Sequence, residues 1–334
     1  MKRIKPKKVD ILIKKINKKY EGEKMESDEI ESYEKAGKIL SKIRNNAVKL
    51  IKNDLPILDL VNYVESETLK AGAGISFPCN VSINEITAHY TSPINDTNKM
   101  VTGDLVKLDM GTEINGHIAD SAVTIMVPGD NLEDLFDEET LNKNQDIIEA
   151  SAAGLEAAIS TVREGVEIGK IGQAVEEAIN DYKLNPVSNL TGHSLEKWNL
   201  HAGLSIPNIN NHDTTKLKEG QAIAIEPFAT DGIGLVNDTP NSYIYSFLKN
   251  KPYRIKHDQK VIDYIENNYH DLPFSGRWIT EKFNPNRAHA SLRKLSQTMS
   301  IYPYAALKEK SGAWVAQKEH TVIVEPDGCN VTTL

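Results

Sequence analysis

The stretch KLDMGTEINGHIADSAVTIMV runs from Lys107 to Val127. It reads as two apolar strands around Asn115 and Gly116. Asn-Gly between two apolar runs is the strongest short hairpin signal, because both residues tolerate the positive φ of a type I′ turn. With the turn at 115–116, Ile114 faces His117 and Gly111 faces Asp120. Asp109 then shares a face with Asp120 as its diagonal neighbour, roughly 7–8 Å away at the backbone. Each strand carries a carboxylate where the pattern calls for an apolar side chain. Two ionised carboxylates that close in an apolar setting repel each other and lose solvation. A shared proton or bound metal ions would relieve them. On this stretch alone, a half-exposed hairpin with two solvated aspartates explains them equally well.

The whole chain sets the context. With 334 residues, 40% apolar and 26% charged, it is long enough to bury a large core. No apolar run reaches the roughly 18 residues that would span a bilayer, and no secretory pattern opens the chain. Cys79 and Cys329 give neither zinc spacing nor a disulfide framework, which suits a reducing cytoplasm. A formal charge of −8 argues against nucleic acid as the main partner. Residues 1–24 differ from the rest: MKRIKPKKVDILIKKINKKY holds nine Lys or Arg and one Asp. This segment reads as a basic tail: an arm that meets RNA or an acidic surface, such as a ribosome, a solvated and weakly helical extension, or an artefact of start-site choice. The patterned chain begins at Met25.

An internal repeat decides the reading of the two aspartates. Each half reads helix, helix, then strands: about 28–52 and 56–70 in the first, about 141–163 and 167–182 in the second. PILDLVNYVE (56–65) matches EIGKIGQAVE (167–176) in apolar spacing. GDLVKLD (103–109) matches GQAIAIE (220–226), a glycine opening a strand with an acid six positions on. ADSAVTIMV (119–127) matches KEHTVIVEP (318–326). Asp109 thus corresponds to Glu226, and Asp120 to Glu319. Solvated loops would not repeat buried acids in this way.

Four acids converging from two halves form an anionic, oxygen-rich cage suited to divalent cations. Imidazoles would move the preference from calcium towards Mn, Fe, Co or Zn. His193 and His201 lie in NLTGHSLEKWNLHAGLSIPN, ahead of Glu226, and His89 lies in NEITAHYTSP at the equivalent point of the first half. His117, His212, His257, His270 and His289 have no such company and read as surface residues. His320, next to Glu319, points to the opposite strand face.

The motifs FPCNVSINEITAHY, LDMGTEINGHIADSAVT, GHSLEKWNLHAG, AIEPFAT and AQKEHTVIV together resemble methionine aminopeptidase of the second type in its archaeal form, a branch of the M24 metallopeptidases. The resemblance runs from about Met25 to the C-terminus. It implies an α+β pita-bread fold, two pseudo-symmetric halves around antiparallel sheet, and two divalent metal ions. Carried over residue by residue, Asp109 matches a ligand of one ion. His193 and Glu226 match ligands of the other, and Asp120 and Glu319 match the bridging carboxylates. His89 matches the histidine alkylated by fumagillin-type epoxides, and His201 the one that contacts the scissile carbonyl. Phe77 and Tyr304 match positions lining the methionine pocket. Where that family usually has QFEH this chain has QKEH, and Lys318 points off the acid face.

The long interval between Glu226 and Glu319 holds residues 246–304. Val261, Ile262 and Ile265, then Leu292, Leu295 and Met299, fall at helical spacing. This resembles the helical, winged-helix-like insertion of the second type, packed over the pocket within a catalytic domain of 25–334. The implied activity is removal of initiator methionine from nascent chains when the second residue is small. His89, His201 and Glu226 would be catalytic, in a cytoplasmic monomer without membrane or specific nucleic-acid partners. The competing readings are an X-Pro peptidase of the same fold (prolidase or aminopeptidase P) and a non-catalytic pita-bread binding protein.

Overall fold

The computed structural model describes residues 25–130 and 132–334. The basic tail, and any role for it, lies outside the described residues. Helix α1 (Ser27–Val48) starts where the Glu29 carboxylate accepts the Glu26 backbone N–H at 3.2 Å. Asp28 and Glu29 in its first turn complement the helix dipole. Its buried stripe is Ala36, Leu40, Ile43 and Ala47. Helix α2 (Ile57–Lys70) follows Pro56. Next come β1 (Gly74–Ile83), the short β2 (Ile86–Ala88), and the hairpin of β3 (Leu105–Ile114) and β4 (His117–Met126). Ile114 pairs with His117 and Gly111 with Asp120, and Asn115 and Gly116 have φ of 53° and 86°, as the turn requires.

The second half repeats this. Helices α3 (Glu138–Thr161) and α4 (Ile168–Asn180) precede β5 (Asn185–Pro186), β6 (Thr191–Leu195), β7 (Ser205–Pro207), β8 (Ala222–Ile225) and β9 (Phe228–Thr230). The chain closes with β13 (Val315–Gln317), β14 (His320–Val324) and β15 (Cys329–Val331). Sheet order β1-β3-β4 in the first half recurs as β6-β8-β14 in the second. The echo extends to single bonds. Ile57 N–H donates to Asn98 O, and Ile168 N–H to Thr215 O. Gly103 and Gly220, at φ of 91° and 80°, each turn the chain two residues before a strand.

The halves join edge to edge at β4 and the strand run 315–324. Glu319 N–H donates to Ala122 O at 3.0 Å, Thr321 Oγ1 to Asp120 O at 2.9 Å, and Ser121 Oγ to Glu319 O at 2.9 Å. The seam therefore runs through the residues that carry two of the acids.

Within the second half, between β9 and β13, β10 (Val236–Phe247) and β12 (Ile301–Glu309) flank α5 (Lys256–Tyr269), β11 (Phe274–Ser275), α6 (Gly276–Lys282) and α7 (Pro285–Gln297). These helices carry their own core around Val261, Ile265, Phe274, Leu292 and Leu295. Met299, expected on that apolar face, lies past the end of α7 at φ 54° and is exposed. Two histidines read as surface residues are not. His117 is buried under α1, edge-on to Tyr33 with its Nε2 3.5 Å from Glu29 Oε1. His257 is half-buried, with Nδ1 3.0 Å from Ser291 Oγ across α5 and α7. In both cases the cover comes from a distant element. Among the described residues, no helix is long and apolar enough to cross a membrane.

Candidate metal and peptidase site

Five polar side chains project from strands, or from positions directly beside them, on both sides of the seam. Asp109 is in β3, Asp120 in β4 and His193 in β6, while Glu226 directly follows β8 and Glu319 directly precedes β14. The last ladder pair in the second half is His320 with Ile225, so Glu226 and Glu319 face each other one step beyond it. The first-half pair, by contrast, is diagonal, since Asp109 faces Ala122 and Asp120 faces Gly111. All nine residues singled out in the sequence line one cavity of about 60 Å³: Phe77, His89, Asp109, Asp120, His193, His201, Glu226, Tyr304 and Glu319.

The acids are held apart from water and from most donors. Asp120 and Glu319 are 3% and 1% exposed. Asn80 Nδ2 donates to Asp109 Oδ2 at 3.1 Å. Gln317 Nε2 lies 3.3 Å from Glu226 Oε2 and 3.5 Å from Glu319 Oε2. Asp109 Oδ1 and Asp120 Oδ1 are buried with no hydrogen-bond donor. Burial pushes the Asp109 carboxyl up to about 7. Burial, and then the charges of neighbouring acids, hold Asp120, Glu226 and Glu319 well above the usual carboxylate range. An apolar enclosure of acids without enough donors is unstable unless protons or cations neutralise it.

The donor set fits cations. One ligand atom each from Asp120, His193 and Glu319 lie within 4.8 Å of one another, and His193 Nε2 is 3.6 Å from Asp120 Oδ2. Asp109 and Glu226 stand around this tightest group in the same cavity. Burial pushes the His193 imidazole down to about 3, with His201 adding to the shift. A neutral imidazole is the form that binds metal.

Above the acids runs a row of rings. His193 and His201 are 4.4 Å apart at their centroids, His201 and Tyr304 6.3 Å, and Tyr304 and His89 5.8 Å. Burial, then His89, pushes His201 down to about 4; burial also lowers His89. Both imidazoles are thus neutral near pH 7, able to donate from one nitrogen and accept at the other. His89 takes φ 62°, just past β2, and its Nδ1 lies 3.3 Å from Ala305 O. Phe77, Leu200, Ile244, Pro273 and Tyr304 supply the apolar wall.

The sequence reading missed several contributors. Gln317 was legible, since it lies two residues before Glu319 and so shares its face. Asn80 stands opposite Asp109 in the β1–β3 register. Lys107 shares the face of Asp109 and is 1% exposed; its Nζ donates to Asn84 O and Val315 O at 2.9 and 2.8 Å, pinning β13 to β3. Leu200 lies one residue before His201, a visible position. Ile244 and Pro273 carried no local signal.

The profile of metallopeptidase family M24 matches residues 31–326. The methionine aminopeptidase of Methanothermobacter thermautotrophicus is 54% identical over 304 residues, covering 91% of this chain and 98% of that protein. Two solved structures share the fold. One, of a thermophilic Arx1, has a TM-score of 0.80 at 16% identity, covering 92% of this chain and 91% of its own. The other, of methionine aminopeptidase from Thermotoga maritima, has a TM-score of 0.66 at 19% identity, covering 93% and 98%.

Proposed function

This chain belongs to metallopeptidase family M24, and we propose that it removes the N-terminal methionine from polypeptides whose second residue is small. The observation that carries this reading is the shared cavity. Buried acids with unpartnered oxygens, a neutral imidazole, two further imidazoles and an apolar wall all face one space. The relative at 54% identity bears the name of that activity.

In this reading the site holds two divalent ions of the Co, Mn, Fe or Zn class. Asp109 would help hold one, His193 and Glu226 the other, and Asp120 and Glu319 both. Bound there, the ions would lower the pKa of a water so that it attacks a carbonyl near neutral pH. The remaining roles fall to the chain's own groups. Phe77, Leu200, Ile244, Pro273 and Tyr304 enclose the flexible thioether side chain. His201 donates to the carbonyl oxygen as negative charge grows on it. Glu226 takes the proton of the attacking water and returns it to the leaving amine. His89, on the Tyr304 side, hydrogen-bonds that amine. The two imidazoles flank the scissile bond, so a long second side chain has no room between them. The substrates are then the N-termini of nascent chains, met by a cytoplasmic monomer.

Release of methionine from Met-Ala-Ser in the presence of Mn²⁺ or Co²⁺ tests the reading. Turnover that stops with chelator and does not extend to Met-Lys-Ser is expected. Hydrolysis of an X-Pro dipeptide without methionine release would assign the chain to the other peptidases of this fold. Failure to cleave either peptide would leave the binding-protein reading.

A further inference from the structure

One wall of the cavity stands between two spaces. Pro273 lines the site cavity and also a second cavity of about 600 Å³, together with Glu65, Leu272, Arg277 and Trp278. A wall with open volume behind it is not held by packing on that side, so something else fixes its position.

The nearest fixed structure is a buried ion pair. Arg277 and Glu65 are 5% and 7% exposed. Arg277 Nη2 donates to both Glu65 oxygens, at 2.8 and 2.7 Å, and Trp278 Nε1 donates to Glu65 Oε2 at 2.9 Å. The Cys79 backbone N–H donates to the same carboxylate. Arg277 Nε reaches Ser92 O at 3.3 Å, and Thr91 Oγ1 donates to Cys79 O at 2.7 Å. The pair thus ties four segments at one point: α2, the irregular stretch of β1 between Phe77 and Asn80, the segment 89–92, and the start of α6. Three of these carry lining residues. Phe77 and Asn80 flank Cys79, His89 precedes Thr91, and Pro273 lies four residues before Arg277, directly ahead of β11, whose Ser275 pairs with Ile244.

A buried ion pair is a poor source of stability, because an apolar pair of similar volume often serves as well or better. What it provides is geometry, since a bidentate guanidinium–carboxylate contact fixes both distance and orientation. We propose that Glu65 and Arg277 are positioning residues that set the width of the methionine pocket by holding Pro273 and Ile244 in register with Phe77. The proposal rests on the aminopeptidase reading of the cavity. Neither residue lines the site cavity, and neither acts on the reacting atoms.

The test compares E65L/R277M, R277K and the control Glu281→Ala, which removes only the exposed Arg277–Glu281 contact. Each is assayed for metal content, thermal midpoint, and kcat and KM on Met-Ala-Ser, Leu-Ala-Ser and Phe-Ala-Ser. The apolar double variant should fold cooperatively and keep its metal. Its KM for Met-Ala-Ser should rise about tenfold, and its preference for Met over Leu and Phe should fall by about the same factor, the scale of a misfitted methylene. R277K loses the fork but keeps the charge, and should shift the same two quantities. It also serves if the double variant fails to fold. Glu281→Ala should match the unaltered chain. Unchanged KM and selectivity in folded E65L/R277M or in R277K would overturn the role of the pair alone. Absence of methionine release by the unaltered chain would instead overturn the aminopeptidase reading, and the pair's role with it.

Discussion

Removing cations from the cage should make the protein less stable as pH rises, and the size of the effect follows from Asp109. Burial raises its carboxyl from 3.8 to about 7. A carboxyl raised on folding binds its proton more tightly in the native state. Metal-free stability is therefore greatest below the unfolded value, falls as pH climbs towards about 7, and stays low above it. The whole shift is about 3 units, or about 4 kcal/mol at 1.36 kcal/mol per unit. Between pH 5 and 8 about two of those units are crossed, so Asp109 alone removes about 3 kcal/mol. For 334 residues, the unfolding entropy is about 0.7 kcal/mol/K, which converts this loss to about 4 °C in Tm. Asp120, Glu226 and Glu319 are shifted in the same direction and add to it. Bound cations replace the protons, so the loaded protein escapes this loss.

The assay is calorimetry from pH 5 to 8, with chelator and with excess Mn²⁺. The gap between the two Tm curves should widen by at least about 4 °C across the window. Asp109→Asn should take about that much out of the metal-free slope. A chelated protein whose Tm is flat or rising over this range, or one that Mn²⁺ does not stabilise at pH 8, would refute the argument that buried, donor-poor acids form a cation site.

Three further outcomes are expected. Asp120→Asn removes a negative charge from the proposed cation site, so it should abolish methionine release and lower metal content while the fold stays cooperative; wild-type turnover would count against the cage. His89→Ala should cost about two orders of magnitude in kcat, the scale of one lost oxyanion donor, with metal content unchanged and with modification by fumagillin-type epoxides blocked; loss of a bound ion would make His89 a ligand instead. A chain starting at Met25 should retain turnover on free peptides, and any ribosome co-sedimentation of the full chain should weaken with salt and with loss of the tail; a large fall in peptide turnover would show that residues 1–24 belong to the catalytic unit.

Much of the architecture was readable because it rests on local rules repeated twice. Asn115-Gly116 fixes the turn, the turn fixes the register, and the register places Asp109 and Asp120 on one face. The repeat then leads to Glu226 and Glu319 without any knowledge of how the halves pack. The second-half register was not readable. The period-2 match of GQAIAIE to GDLVKLD holds, yet the ladder shifts so that Glu226 and Glu319 face each other beyond its end. Strand pairing between segments this far apart is set by the helices and loops that fill the interval, not by the strands themselves.

The same limit explains which site residues stayed hidden. The four acids found from the sequence sit at repeated positions and the imidazoles in the segments that precede them, whereas Phe77 and Tyr304 came only from the family resemblance. The hidden ones act across long separations through atoms that carry no pattern. Lys107 binds two backbone carbonyls, and any backbone can supply a carbonyl. Its alternation with Asp109 predicted a face but gave no reason to expect burial. Glu65 sits in an amphipathic helix where an acid ordinarily faces water, and only the arrival of Arg277, 212 residues later, makes that position interior. A pocket wall built by such contacts is legible only in three dimensions. That is why the residues that gather in the cage could be read from the sequence, whereas the dimensions of the pocket, on which selectivity for one side chain depends, could not.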